Sequence, residues 1–141
     1  MNSVRRNPLA IAVAALVYFM LGGLWFTVLK QQWLDGIGRT MDQLTQAGVS
    51  PAVSYGIAII TTIIIVIALD TVIQLTGPQT PLRGIKVACF LWFAFIFTVI
   101  TAEYAFELRS PQTLAIVTGY PLTGMILAGA ILGAWKKKAR P

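Results

Sequence analysis

Four long stretches almost free of charge, joined by short polar links, constrain this chain more than any other feature. Crossing roughly 30 Å of hydrocarbon takes about twenty apolar residues in a helix. Segments at about 8–29, 52–75, 85–106 and 113–135 each meet that length. In lipid every backbone N–H and C=O must be satisfied by the protein itself, so these stretches are expected to be helices. The expected fold is all-α: a polytopic integral membrane protein, four transmembrane helices in a bundle, forming one domain over 1–141. Composition agrees. Hydrophobic residues make up 57% of the chain and charged residues only 11%, against about 25% charged in ordinary soluble domains. Pro8, Pro51 and Pro111 stand at or just before three of the starts, where a missing N–H costs nothing. The link "TGPQTPLRG" reads as a turn from its Gly and Pro content. Arg5 and Arg6 before the first stretch suggest a signal peptide. The apolar run is too long for one, however, and no A-x-A-like cleavage site follows, so it reads as an uncleaved span.

Charge sets the expected direction. Four spans place Arg5, Arg6, Arg83, Lys86, Lys136, Lys137, Lys138 and Arg140 on one side, and only Lys30, Arg39 and Arg109 on the other. By the positive-inside bias both termini are expected in the cytoplasm, and the membrane is expected to be the bacterial inner membrane. The net charge of +6 then serves topology and anionic lipid headgroups at the cytoplasmic face rather than nucleic acid. Trp25, Trp33, Tyr55 and Tyr104 fall near the outer boundary, and Trp135 near the inner one, as interfacial aromatics do. The longest link carries Trp33, Leu34, Ile37, Met41 and Leu44 at three- and four-residue steps. That spacing predicts a short interfacial helix, weakened by Gly36 and Gly38.

Three acids draw attention. Asp70 lies some five residues before the inner end of the second span, roughly 7 Å of helical rise. Ionisable groups inside spans are functional candidates because burying them is expensive. Arg83 and Lys86 open the next helix on the same side and Lys136 ends the fourth, so a helix-pinning pair is the simpler expectation. Glu103 and Glu107 sit one turn apart near the outer end of the third span, with Lys30, Arg39 and Arg109 available as partners. Asp70 and Glu103 are thus near opposite faces and cannot share a proton. At most they end a relay through Thr61, Thr62, Thr98 or Thr101.

Small residues offer close helix packing. Ala10 and Ala14, Gly22 and Gly23, and Gly124, Ala128, Gly129 and Gly133 lie in the first and fourth spans. They let backbones approach where lipid supplies no drive for association. "GAILG" serves either packing within one bundle, the commoner use, or self-association. Gly119 and Pro121 are expected to loosen or kink the fourth span, and Trp92 needs a partner for its indole N–H. Cys89 is alone and reads as a small buried hydrophobe.

Enzyme chemistry finds little to use. With no histidine there is no H-E-x-x-H zinc site and no Ser–His base pair. No G-x-x-x-x-G-K-[ST] loop cradles a nucleotide. No cofactor, no metal site and no catalytic residue are expected.

"NPLAIAVAALVYFMLGGLWFTVLKQQW" resembles the opening of the bacterial membrane proteins grouped as domain of unknown function 1761. Asn7, Gly22 or Gly23, Trp25, Phe26 and Trp33 carry the likeness, Phe26 standing where the pattern has tyrosine. "FELRSPQTLAIVTGYPLTGMILAGAILGAW" resembles the closing part of that family. The resemblance implies a four-helix membrane protein with no established activity to carry over. Taken together, the residues favour a non-enzymatic scaffold, accessory or envelope component that self-associates. A minimal proton- or ion-coupled pathway acting as a homo-oligomer is the alternative.

Overall fold

The computed structural model describes residues 4–137; Ser3, Lys138 and Arg140 lie outside them. Four helices long and apolar enough to cross a membrane run over Pro8–Val28, Pro51–Leu75, Pro81–Glu107 and Pro111–Ala134. All four open with the same device. A proline occupies the first turn, and the side chain before it (Asn7, Ser50, Thr80 or Ser110) accepts the N–H of Ala10, Val53, Arg83 or Thr113. Such a cap satisfies one of the backbone donors that every helix start leaves open. The third helix begins four residues before its expected start. Hydropathy marks where apolar residues begin, whereas the Thr80–Pro81 cap starts the helix earlier and carries it through Arg83 and Lys86.

The expected single interfacial helix is two short ones, Lys30–Ile37 and Met41–Gln46. Gly38 ends the first in the left-handed region (φ 64°), a conformation that costs glycine little. Thr40 and Gln43 start the second with a reciprocal capping box. Leu34 is buried while Met41 remains exposed. Gly36 lies so close to Thr113 that a Cβ there would overlap its side chain, so the first short helix rests on the start of the fourth span.

The fourth span is the hub, touching the other three. Two features let it come so near. Against the third span, a Cβ on Gly84 would overlap the Gly129 carbonyl, one on Gly129 the Gly84 carbonyl, and one on Gly133 the Thr80 carbonyl. Against the first span, Gly124 accepts the Tyr18 ring and Gly22 the hydroxyl end of Tyr120. The small residues "GAILG" therefore serve packing within the chain. Ala10, Ala14 and Ala128 are fully buried in the same core, together with Val66, Leu69, Ile73, Ala88 and Leu132. Gly23 differs from its expected packing role: it is exposed, with nothing near its Cβ position. Cys89 is half-buried rather than buried.

The third span has one irregularity that hydropathy does not announce. Trp92–Phe97 form a π-helical turn, with the Thr98 N–H reaching back to the Phe93 carbonyl. Phe93 and Phe97 stack there at 5.7 Å.

These contacts predict opposite signs for the same substitution. Gly84→Ala and Gly129→Ala should each destabilise by about 1–3 kcal/mol through overpacking. Gly23→Ala should be neutral or stabilise by up to about 1 kcal/mol through helix propensity. Unfolding in mixed detergent micelles measures all three. Equal stability of Gly84→Ala and wild type would refute the close approach.

Candidate functional site

Chain direction and contacts give the molecule two ends. A proximal end gathers Pro8, Leu75, Pro81 and Ala134, held together by Gln79 donating to the Leu132 carbonyl (3.1 Å) and Asn7 to the Trp135 carbonyl (3.4 Å). The distal end gathers Val28, Pro51, Glu107 and Pro111. Polar side chains inside the helices form two groups, one near the proximal end and one deeper.

The proximal group centres on Asp70, which is only 2% exposed. Its hydrogen-bond partner is Gln74, one turn further along the same helix, whose amide donates to Oδ2 at 2.9 Å. The Gln74 carbonyl oxygen accepts the Arg5 backbone N–H at 2.8 Å. The Arg6 guanidinium reaches the hydroxyl of Thr71, the residue after Asp70, at 3.5 Å. The expected pairing with Arg83, Lys86 or Lys136 is not what the structure shows. Arg83 instead donates to the Thr76 carbonyl at 2.6 Å, and among the described residues the one ion pair lies elsewhere. The reason is rotational. Arg83 and Lys86 lie beside the Val72–Thr76 face of the second span, whereas Asp70 points into the helix core. Sequence reasoning missed Gln74, although the i, i+4 spacing of Asp and Gln on a helix signals it.

The other acids stand apart. Glu107 pairs with Arg109 at the distal surface, both groups roughly half exposed, and such pairs contribute about 0–1 kcal/mol. Arg109 also lies 5.3 Å over the ring of buried Tyr104. Glu103, Lys30 and Arg39 are exposed. No relay joins Asp70 to Glu103 through the threonines. Thr61 and Thr98 turn back to carbonyls of their own helices, Ile57 and Ala94, and the buried Thr101 hydroxyl has no partner.

The deeper group surrounds Pro121. Proline lacks the N–H that would serve the carbonyl four residues earlier, that of Val117, yet the helix runs unbroken from Pro111 to Ala134. Extra donors converge on this turn from three directions. Trp25 of the first span donates its indole N–H to the Ile116 carbonyl at 3.0 Å. Trp92, the first residue of the π turn, donates to the Thr118 carbonyl at 2.9 Å. Thr118 and Thr123 add hydroxyl bonds to the Leu114 and Gly119 carbonyls, at 2.7 and 2.9 Å. Trp25, expected as an interfacial aromatic, is thus a clamp between helices, with its ring over Gly119. Tyr120 packs edge-on against Tyr18 (5.3 Å) and Phe26 (5.6 Å), which leads on to Trp33 (5.5 Å). Trp135, expected at the inner boundary, is exposed at the proximal end and offers its carbonyl to Asn7.

The side-chain hydrogen bonds of both groups are made within the chain. Among the described residues no grouping of three or more His, Cys, Asp or Glu side chains is placed to hold a metal ion.

Removing the indole donors tests the clamp. Interhelical hydrogen bonds in membranes contribute about 0.6 kcal/mol on average and up to about 1.7. Trp92→Phe and Trp25→Phe should each cost an amount in that range. Amide exchange should quicken over 116–123 while the Ile131 region stays protected. Unaltered exchange over 116–123 in the double variant would contradict the assignment.

Comparison with curated proteins and with solved structures gives no match. A family model described as "Protein of unknown function (DUF1761)" matches residues 9–133, a stretch that includes Trp25, Trp33, Trp92 and the "TGYPLTG" turn. That match covers most of the sequence, and the chain belongs to the DUF1761 family of proteins of unknown function.

Proposed function

We propose that this protein is a non-enzymatic scaffold or accessory component of the bacterial inner membrane, with its proximal end in the cytoplasm. The observation that carries the reading is the filled axis between the helices. Ala14, Val66, Ala88 and Ala128 have no exposed surface, and Leu69, Ile73 and Leu132 have almost none. Side chains at such packing leave no continuous wet route, because interiors of this kind hold few voids larger than a water molecule. Apart from the Thr101 hydroxyl, the buried polar side chains described above bond to one another or to backbone, and these bonds fix helix against helix. A rigid unit with apolar outer faces suits contact with lipid, with a second copy, or with a larger membrane assembly. The expected orientation rests on Arg5, Arg6, Arg83, Lys86 and Lys136, all at the proximal end.

One observation favours the second reading, a proton- or ion-coupled pathway. Asp70 is buried and its direct hydrogen-bond donor is the neutral Gln74 amide. Buried charges are ordinarily paired, and a carboxylate whose hydrogen-bond donor is neutral is a place where a cation can bind and leave.

Reconstitution separates the two. Vesicles carrying the purified chain and a trapped pH dye should collapse an imposed proton gradient no faster than protein-free vesicles, and Asp70→Asn should change nothing. Flux well above background that Asp70→Asn abolishes would replace the scaffold reading by the pathway.

A further inference from the structure

On the outer surface of the helices, away from Asp70, the second and third spans leave a groove of about 440 Å³ open to the lipid side. Its walls are apolar, formed by Val72, Val87, Phe90 and Leu91. Its proximal mouth carries two cations, Arg83 and Lys86, and no carboxylate. Arg83 and Lys86 are three residues apart on one helix, a spacing that puts both on one face.

Arg83 is held ready. One guanidinium N–H is bound to the Thr76 carbonyl at 2.6 Å, and the group lies over Gly77, where a Cβ would meet it at 2.8 Å. Gly77 has φ 142°, so its missing side chain gives both the turn and the space for the guanidinium. A guanidinium has five N–H donors; the bond to Thr76 occupies one and fixes the direction of the rest. Neither Arg83 nor Lys86 forms an ion pair among the described residues.

From this juxtaposition we infer that the groove is a binding site for one anionic phospholipid. Its phosphate sits between Arg83 and Lys86, and one acyl chain lies along Val72, Val87 and Phe90. The chemistry is complementary at both levels. An oriented guanidinium suits phosphate oxygens, since it offers several donors in a fixed fork. The apolar walls continue from that point in the direction an acyl chain runs, toward the membrane centre. Basic pockets between helices near a membrane surface recognise headgroups in this way. Surface attraction alone would be served equally by the exposed Lys136 and Lys137, which do not line this groove.

The test uses the full chain in neutral detergent and native mass spectrometry. Phosphatidylglycerol is titrated against phosphatidylcholine of identical acyl chains. The wild type should retain one phosphatidylglycerol in preference to phosphatidylcholine. At about 1 kcal/mol per cation, Arg83→Gln/Lys86→Gln should weaken that retention by about 30-fold, whereas Lys136→Gln/Lys137→Gln should not. Val87→Phe, which fills the groove and leaves both cations, should also reduce retention. Thermal unfolding of each variant separates lost binding from lost folding. Glycerol 3-phosphate at millimolar concentration should not displace the lipid. Equal retention of the two lipids, or undiminished retention in a folded Arg83→Gln/Lys86→Gln protein, would overturn the site. Displacement by glycerol 3-phosphate would overturn the lipid as its occupant and point to a soluble anion.

Discussion

Pro121 leaves the Val117 carbonyl without its helical donor, and the arrangement of this protein follows from how the turn around that gap is held. The carbonyls flanking the gap, those of Ile116 and Thr118, receive indole N–H groups from the first and third spans. Because the two donors come from opposite neighbours, the weakest turn of the fourth helix becomes the place where three helices are tied together. The close approaches nearby, Tyr18 on Gly124 and Gly84 on Gly129, need the fourth span to hold its course through that turn.

The same logic applies to Asp70. It lies between helices, facing neither lipid nor bulk water, and its surroundings are drawn from the segment before the first span as well as from its own helix. Gln74 links the carboxylate to the Arg5 backbone, Arg6 reaches neighbouring Thr71, and Asn7 ties the start of the first span to the end of the fourth. The acid thereby fastens the approach to the first helix against the second. Arg83 and Lys86, freed from that duty, face the lipid side.

Much of the fold was legible because hydropathy and caps are local signals. Four apolar runs located the spans, and Pro8, Pro51 and Pro111 gave their starts to within a few residues. The third start was missed because Thr80–Pro81 looked like part of a turn. The chemistry inside was harder to read, since it depends on rotation about each helix axis. Trp92 visibly needed an acceptor, but nothing local names the Thr118 carbonyl. Asp70 was assigned to the nearest cations along the sequence, whereas its helical face selected Gln74. Gly22 and Gly23 look alike as neighbours, yet one meets Tyr120 and the other meets nothing. The π turn at Trp92–Phe97 carries no sequence signature at all; an aromatic run in a membrane helix is ordinary.

A filled axis is the central claim, and water access along it is the most direct measurement. In a Cys89→Ala background, single cysteines at Val66 and Ala128 would be exposed to a membrane-impermeant thiol reagent from each side of sealed vesicles. Both positions should stay unlabelled from either side and react only after denaturation. Labelling of either from water would show a hydrated route through the helices, and the protein would have to be understood as a pathway.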